Sequence, residues 1–253
     1  MKIYIGIPAR MGSSRFPGKP LAKICNMSML EHVYQRCKFA DNIQEIFIAT
    51  CDEEIVREAN SFGATSIMTD PEIARPALRV FAAAETLNLE PNDIVITVQG
   101  DEPLLHPDMI NSTIEPLINE QDIFVSNIVN DINSEEEWND PNNVKVVTDN
   151  KMNAIFMSRS PIPSVYHEEQ RGKRYLQVAV MPFRWHFFKT FNNLESGNLE
   201  LAESVEMLRA IENGYKVRMV YSKHQSVSVD TPEDLKRAEG IMRNDSYYQQ
   251  YLK

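Results

Sequence analysis

An apolar run, Ile3-Tyr4-Ile5-Gly6-Ile7, empties directly into Pro8-Ala9-Arg10-Met11-Gly12-Ser13-Ser14-Arg15-Phe16-Pro17-Gly18-Lys19-Pro20. The run reads as a buried strand and the segment after it as a loop. Its glycines let backbone N–H groups approach an anion, and the three cations Arg10, Arg15 and Lys19 neutralise it. The pair therefore reads as a polyphosphate cradle at the carboxyl end of a first strand. It is not a P-loop, because Lys19 is followed by Pro20 and the G-x-x-x-x-G-K-[ST] spacing is absent. Lys19 suits a point-charge contact with phosphate, whereas Arg10 and Arg15 suit forked ones.

Short apolar runs then alternate with helix-period stretches. The spacing predicts strands over 45–50, 66–69 and 93–99 and helices over 29–39, 52–62, 79–87 and 107–119. Strands separated by helical crossovers imply an α/β fold with a mostly parallel, doubly wound sheet. The pattern changes near residue 123. Strands are predicted over 123–129, 143–148, 154–157, 178–183 and 216–221, and helices over 203–213 and 232–243. A smaller β-rich lobe is placed at about 124–200 inside one domain spanning 1–253, a length sufficient for such a core.

Composition narrows the function. A formal net charge of −10 argues against a nucleic-acid partner, so positive charge must be concentrated locally. Cys25, Cys37 and Cys51 fit no zinc or redox spacing and point to reduced thiols in a cytoplasm. No apolar run approaches the ~18 residues that span a bilayer, and the N-terminus is too short and polar-flanked for a signal peptide. The five histidines show no metal spacing, and Glu135-Glu136-Glu137 reads as a solvated helix start.

Two carboxylates extend the chemistry. Asp101, in Val98-Gln99-Gly100-Asp101-Glu102-Pro103, falls at the carboxyl end of a strand, where open α/β sheets bind ligands. It suits a Mg²⁺ ligand or a simple turn cap. Asp230, in Val229-Asp230-Thr231-Pro232-Glu233-Asp234-Leu235, suits a metal ligand, a helix N-cap, or both, with Thr231 the other N-cap candidate. Two carboxylates supplemented by phosphate oxygens and water are the usual way a protein holds Mg²⁺ for nucleotide chemistry.

These three segments, in this order and spacing, resemble the CMP-Kdo synthetases, the 3-deoxy-manno-octulosonate (Kdo) cytidylyltransferases. Further matches are Asn143-Val144-Lys145-Val146-Val147, Ser158-Arg159 with Ile162-Pro163, and Glu203-x-x-Glu206-Met207-Leu208, so the likeness covers nearly the whole chain. The resemblance implies a glycosyltransferase-A-like nucleotidyltransferase fold whose β-rich lobe serves dimerisation and the acceptor. It also implies a cytoplasmic, Mg²⁺-dependent homodimer that joins CTP to an acidic sugar and releases pyrophosphate. By the same resemblance Pro8, Ala9 and Arg10 lie against cytidine, and Ser14, Arg15 and Lys19 near the triphosphate. Gln99 lies between nucleotide and acceptor, and Asp101 and Asp230 hold Mg²⁺. Lys19, Arg15 and Asp101 carry the catalysis, and Arg159 and Glu206 face the acceptor.

Several positions depart from the family pattern. Where relatives carry His-x-Ser-Gly-Thr-Glu-Arg, this chain has Asp70-Pro71-Glu72-Ile73-Ala74-Arg75-Pro76-Ala77-Leu78-Arg79, and only Arg79 keeps its place. A family His-Leu-Gly-Ile-Tyr reads Gln177-Val178-Ala179-Val180-Met181, and a Thr-Asp reads Thr50-Cys51 with Asp52 beside it. The lost His, Ser and Tyr are partners for sugar hydroxyls, so the acceptor is open. It is Kdo, a related 2-keto-3-deoxy or amino-sugar acid, or a small phosphonate, with Arg75, Arg79, Arg159, Gln177 and Glu206 as acceptor-binding candidates. A catalytically silent nucleotide-binding regulator is the reading from another class.

Overall fold

The computed structural model describes residues 1–12, 16–164, 166–167 and 172–252. They form two compact units, one of residues 1–111 with 225–253, the other of residues 112–224. The lobe expected at about 124–200 falls inside the second.

The first unit is built on parallel strands. Along the chain come β1 (Ile3–Ala9), the short hairpin β2 (Lys23–Ile24) and β3 (Met27–Ser28), α1 (Met29–Cys37), β4 (Ile43–Thr50), α2 (Glu53–Ser61), β5 (Thr65–Met68), α3 (Pro76–Ala84) and β6 (Ile94–Val98). Strands β6, β1, β4 and β5 lie side by side in that order, all parallel. Every residue of β1 and β6 is buried, as a strand covered on both faces requires. Helix α3 begins at Pro76 rather than at the expected residue 79, because proline's fixed φ suits the first helical position.

Helix α4 (Pro107–Asn119) leads into the second unit, which contains β7 (Ser126–Asp131), α5 (Glu135–Asn139), β8 (Lys145–Thr148), β9 (Ala154–Ser158), β10 (Tyr175–Val178), β11 (Val180–Arg184), α6 (Trp185–Asn193), α7 (Asn198–Glu203), α8 (Met207–Glu212) and β12 (Arg218–Tyr221). Its sheet runs β12-β7-β10-β8-β9, antiparallel apart from the β12–β7 pair. The strand predicted over 178–183 corresponds to β11, and β10 before it meets that range only at Val178. The helix predicted over 203–213 is α8 alone, which starts only at Met207 because Ser204 adopts φ 53° and ends the preceding α7 at Glu203. Helix α6 was not predicted. It buries Trp185, Phe187, Phe188 and Phe191, with Phe188 stacked on Phe183 at 4.2 Å between ring centroids.

The chain closes with α9 (Pro232–Met242) and α10 (Ser246–Tyr251) in the first unit. Val229, Ala238, Met242 and Tyr248 share one apolar cluster with Ile24, Met29 and Leu104. Arg36 of α1, 1% exposed, donates to Asp245 Oδ1 at 2.6 Å, and Asp245 also caps α10 by accepting from the Tyr248 amide at 2.8 Å. His32 completes the dock. Its Nε2 donates to the Ile24 carbonyl at 2.8 Å and its Nδ1 accepts from the Tyr251 hydroxyl at 2.7 Å.

Burial lowers the His32 pKa to about 4 from 6.5, and Arg36 adds to the effect against the Ile24 carbonyl. A histidine held neutral in the fold and protonated on unfolding stabilises the fold fully above its unfolded pKa, and that contribution is lost as pH falls towards the folded value. Urea denaturation should therefore show the wild type losing stability more steeply than His32→Gln between pH 6.5 and about 4. Parallel pH profiles would contradict this reading of the C-terminal dock.

Candidate active site

The carboxyl edge of the parallel sheet gathers the groups that matter, all within the first unit. Beyond β1 the chain passes Arg10, which is exposed, and Met11, whose amide donates to Asp52 Oδ2 at 2.7 Å. Asp52, just past the end of β4, therefore fixes where the loop begins. The loop closes when the Gly18 amide donates to the Met11 carbonyl at 3.2 Å. Gly18 has φ 73°, a left-handed conformation that glycine adopts without steric cost, and it opens a 3-10 turn at Lys19–Leu21. Lys19 is thereby aimed from a fixed backbone. Ser14 and Arg15, expected at the triphosphate, lie outside the described residues.

Beyond β6 the chain turns through Gln99-Gly100-Asp101. A side chain at Gly100 would stand 3.0 Å from the Pro8 carbonyl oxygen, so glycine permits this segment to cross close over the end of β1. Pro8 and Ala9 are buried there and Gln99 is half-buried. Asp230 reaches the same place from the other end of the sequence, because the Val229 amide donates to the Asp101 carbonyl at 2.9 Å.

Helix capping leaves the Asp230 carboxylate available for Lys19. The cap of α9 is Thr231, whose hydroxyl accepts from the Asp234 amide while Asp234 Oδ2 accepts from the amides of Thr231 and Asp230. Of the two N-cap candidates the helix uses Thr231, not Asp230.

Lys19 Nζ lies 2.7 Å from Asp101 Oδ2 and 3.1 Å from Asp230 Oδ1, and the Lys19 side chain is only 13% exposed. Burial disfavours its charge, yet the two carboxylates outweigh that and its pKa stands above the usual lysine value. The structure thus brings Lys19, Asp101 and Asp230 to one point. Two carboxylates converging on a position that already holds a cation form a donor set suited to a divalent ion with oxygen ligands.

A fourth group was not singled out from sequence. Glu102 is 5% exposed, and its carboxyl is hydrogen-bonded to the Ser226 hydroxyl, on the segment that leads to Asp230. Burial, then the adjoining Asp101 carboxylate, push its pKa up to about 8, against the pull of Ser226. Nothing in the sequence marks Glu102 as buried, since Asp-Glu-Pro reads equally as an exposed turn.

The acceptor candidates are placed as follows. Arg79 is buried, and its guanidinium donates to Thr69 Oγ1 at 2.5 Å, the Ile73 carbonyl at 2.5 Å and the Asp70 carbonyl at 3.2 Å. It holds the 69–73 loop in shape. Arg75 stands half-buried at the N-cap of α3. In the second unit Arg159 donates from Nε to the Glu203 carbonyl at 2.8 Å and from a terminal nitrogen to the Pro141 and Asn142 carbonyls, so it too braces backbone. Glu203 in turn accepts from Ser158 Oγ at 2.6 Å and the Arg159 amide at 2.8 Å, joining two of the sequence motifs. Lys145, fully buried, donates to the carbonyls of Asp140, Asn143 and Arg159. Gln177 is half-buried on β10, and Glu206 is buried at the start of α8.

Comparison with known proteins adds a family. The profile of a family described as cytidylyltransferase matches residues 4–219. The chain is 39% identical over 241 residues to a 3-deoxy-manno-octulosonate cytidylyltransferase of Syntrophus aciditrophicus (strain SB), covering 95% of this chain and 97% of that one. It is also 39% identical over 248 residues to an 8-amino-3,8-dideoxy-manno-octulosonate cytidylyltransferase of Shewanella halifaxensis (strain HAW-EB4), covering 97% of this chain and all of that one. A solved structure of a CMP:2-keto-3-deoxy-manno-octonic acid synthetase complexed with CTP superposes with a TM-score of 0.88 at 30% identity, covering 96% of this chain and 99% of that one. No helix among the described residues is long and apolar enough to cross a membrane.

Glu102 supplies a test of the site's electrostatics. A carboxyl whose folded pKa is raised contributes stability that is complete below its unfolded value of 4.5 and lost as pH rises through about 8. In metal-free buffer the wild type should lose stability to urea between pH 6.5 and 9 relative to Glu102→Gln, which keeps an acceptor for Ser226. Equal losses in both proteins would mean that Glu102 is not held protonated.

Proposed function

Because the chain belongs to the cytidylyltransferase family, we propose that it transfers the cytidylyl group of CTP to an acidic sugar of the 3-deoxy-manno-octulosonate class and releases pyrophosphate. The observation that carries the reading is the convergence of Lys19, Asp101 and Asp230 beside the ends of β1 and β6. An oxygen of the acceptor attacks the α-phosphorus of CTP, and no covalent enzyme intermediate is required. Lys19 offsets charge across the phosphates, and Arg10, with Arg15, adds to it. Pro8, Ala9 and Gln99 line the nucleoside side.

Asp101 and Asp230 would hold Mg²⁺, which would supply positive charge to offset the developing negative charge and would lower the pKa of the attacking hydroxyl. Asp52 and Arg79 act at one remove, by shaping the loops after β1 and β5. The same reading takes the protein as a Mg²⁺-dependent cytoplasmic homodimer. Its support is the family likeness, together with three free cysteines.

An 8-amino acceptor is the second reading. A relative named for that substrate is as similar as one named for the 3-deoxy acid, and Asp70 and Glu72 stand exposed in the loop that departs from the family pattern.

A pyrophosphate-release screen with CTP, Mg²⁺ and a panel of 3-deoxy-manno-octulosonate, its 8-amino analogue, sialic-type acids and phosphonates tests the proposal. One of the two octulosonates should turn over. CTP uptake by calorimetry without pyrophosphate release from any acid would indicate a silent binder instead. Asp101→Asn should lower kcat at least ~100-fold with the melting temperature nearly kept. Near wild-type turnover in that variant at saturating Mg²⁺ would remove Asp101 from the metal site.

A further inference from the structure

We infer that the Lys19 ammonium occupies the divalent-cation position between Asp101 and Asp230, and that a nucleotide triphosphate must draw it away before the ion can settle. The inference rests on the assignment of the two aspartates as metal ligands.

The geometry gives the reason. A small hard divalent ion sits about 2.0–2.1 Å from each carboxylate oxygen it binds. The Lys19 nitrogen lies 2.7 Å from one carboxylate and 3.1 Å from the other, so an ion binding these same two oxygens would meet its positive charge at close range. The two cations compete for one place. Without either of them two like charges would stand close together at a poorly solvated point, an unfavourable arrangement.

The Lys19 backbone is held. Its amide donates to the Phe16 carbonyl at 3.1 Å and its carbonyl accepts from the Ala22 amide at 3.1 Å. Its side chain, with four rotatable carbons, is the part free to turn. A triphosphate supplies anionic oxygens that can replace both carboxylates as its partners. Cation and nucleotide therefore enter together, and the nucleotide-free protein binds metal weakly. The lysine thus has two successive positions: on the carboxylates in the resting protein and on the phosphates in the loaded one.

The test is Mn²⁺ binding to the nucleotide-free protein, followed by electron paramagnetic resonance, with thermal melting as a second readout. Lys19→Met and Lys19→Gln should bind Mn²⁺ roughly tenfold or more tightly than the wild type, as expected when one nearby positive charge is removed. Their melting temperatures should rise with added Mn²⁺ far more than the wild type's, and adding Asp101→Asn to either variant should abolish the gain. Unchanged Mn²⁺ affinity in both lysine variants overturns the inference. If the wild type nevertheless releases pyrophosphate from CTP with an octulosonate, the inference alone has failed. If it does not, the proposed function has failed as well.

Discussion

One backbone hydrogen bond, from the Val229 amide to the Asp101 carbonyl, sets where the two candidate metal-binding aspartates meet. The two residues are 129 positions apart in sequence, since 230 − 101 = 129. The bond is reinforced from several sides. Val229 is buried in the cluster that packs α9 against the β2–β3 hairpin, and the Glu102–Ser226 contact joins the same two segments one step away. Arg36 and His32 hold α10 onto α1, which keeps the C-terminal pair of helices, and with it Asp230, against α1 and the β2–β3 hairpin.

Charge in this region is arranged so that each group depends on the others. Lys19 remains an ammonium in a poorly solvated place because two carboxylates face it. Glu102, buried behind Asp101, is pushed towards its neutral form by the same surroundings. A single added anion there would weaken the attraction between Lys19 and a polyphosphate. A neutral Glu102 instead serves as a hydrogen-bonded tie between the two loops.

Much of this was legible in the residues. The buried strand before a Gly/Ser/Arg/Lys loop, and aspartates after a strand and before a Thr-Pro helix start, are local signals, and the aspartates fall where they indicate. Other features depend on tertiary contacts that no local pattern carries. Ser204 in a left-handed conformation splits a run of good helix formers, and Glu102 differs from an exposed turn residue only by its burial. The direction of the Arg79 guanidinium is set by three acceptors in its own loop, which no local pattern announces. Helix α6 was missed because an aromatic-rich segment reads as strand until its i, i+3 and i+4 burial is seen. Helix α10 forms on tyrosines packed against His32 and Phe39, contacts distant in sequence.

Basic loop and paired aspartates are taken to enclose one metal-bound triphosphate. Crystals grown with CTP and Mn²⁺, measured at the manganese absorption edge, address it directly. One anomalous peak is expected, coordinated by both Asp101 and Asp230 and by a phosphate oxygen, with Lys19 Nζ moved from the carboxylates to the triphosphate. Bound CTP with the ion away from either aspartate, or with Lys19 still bridging them, would contradict it.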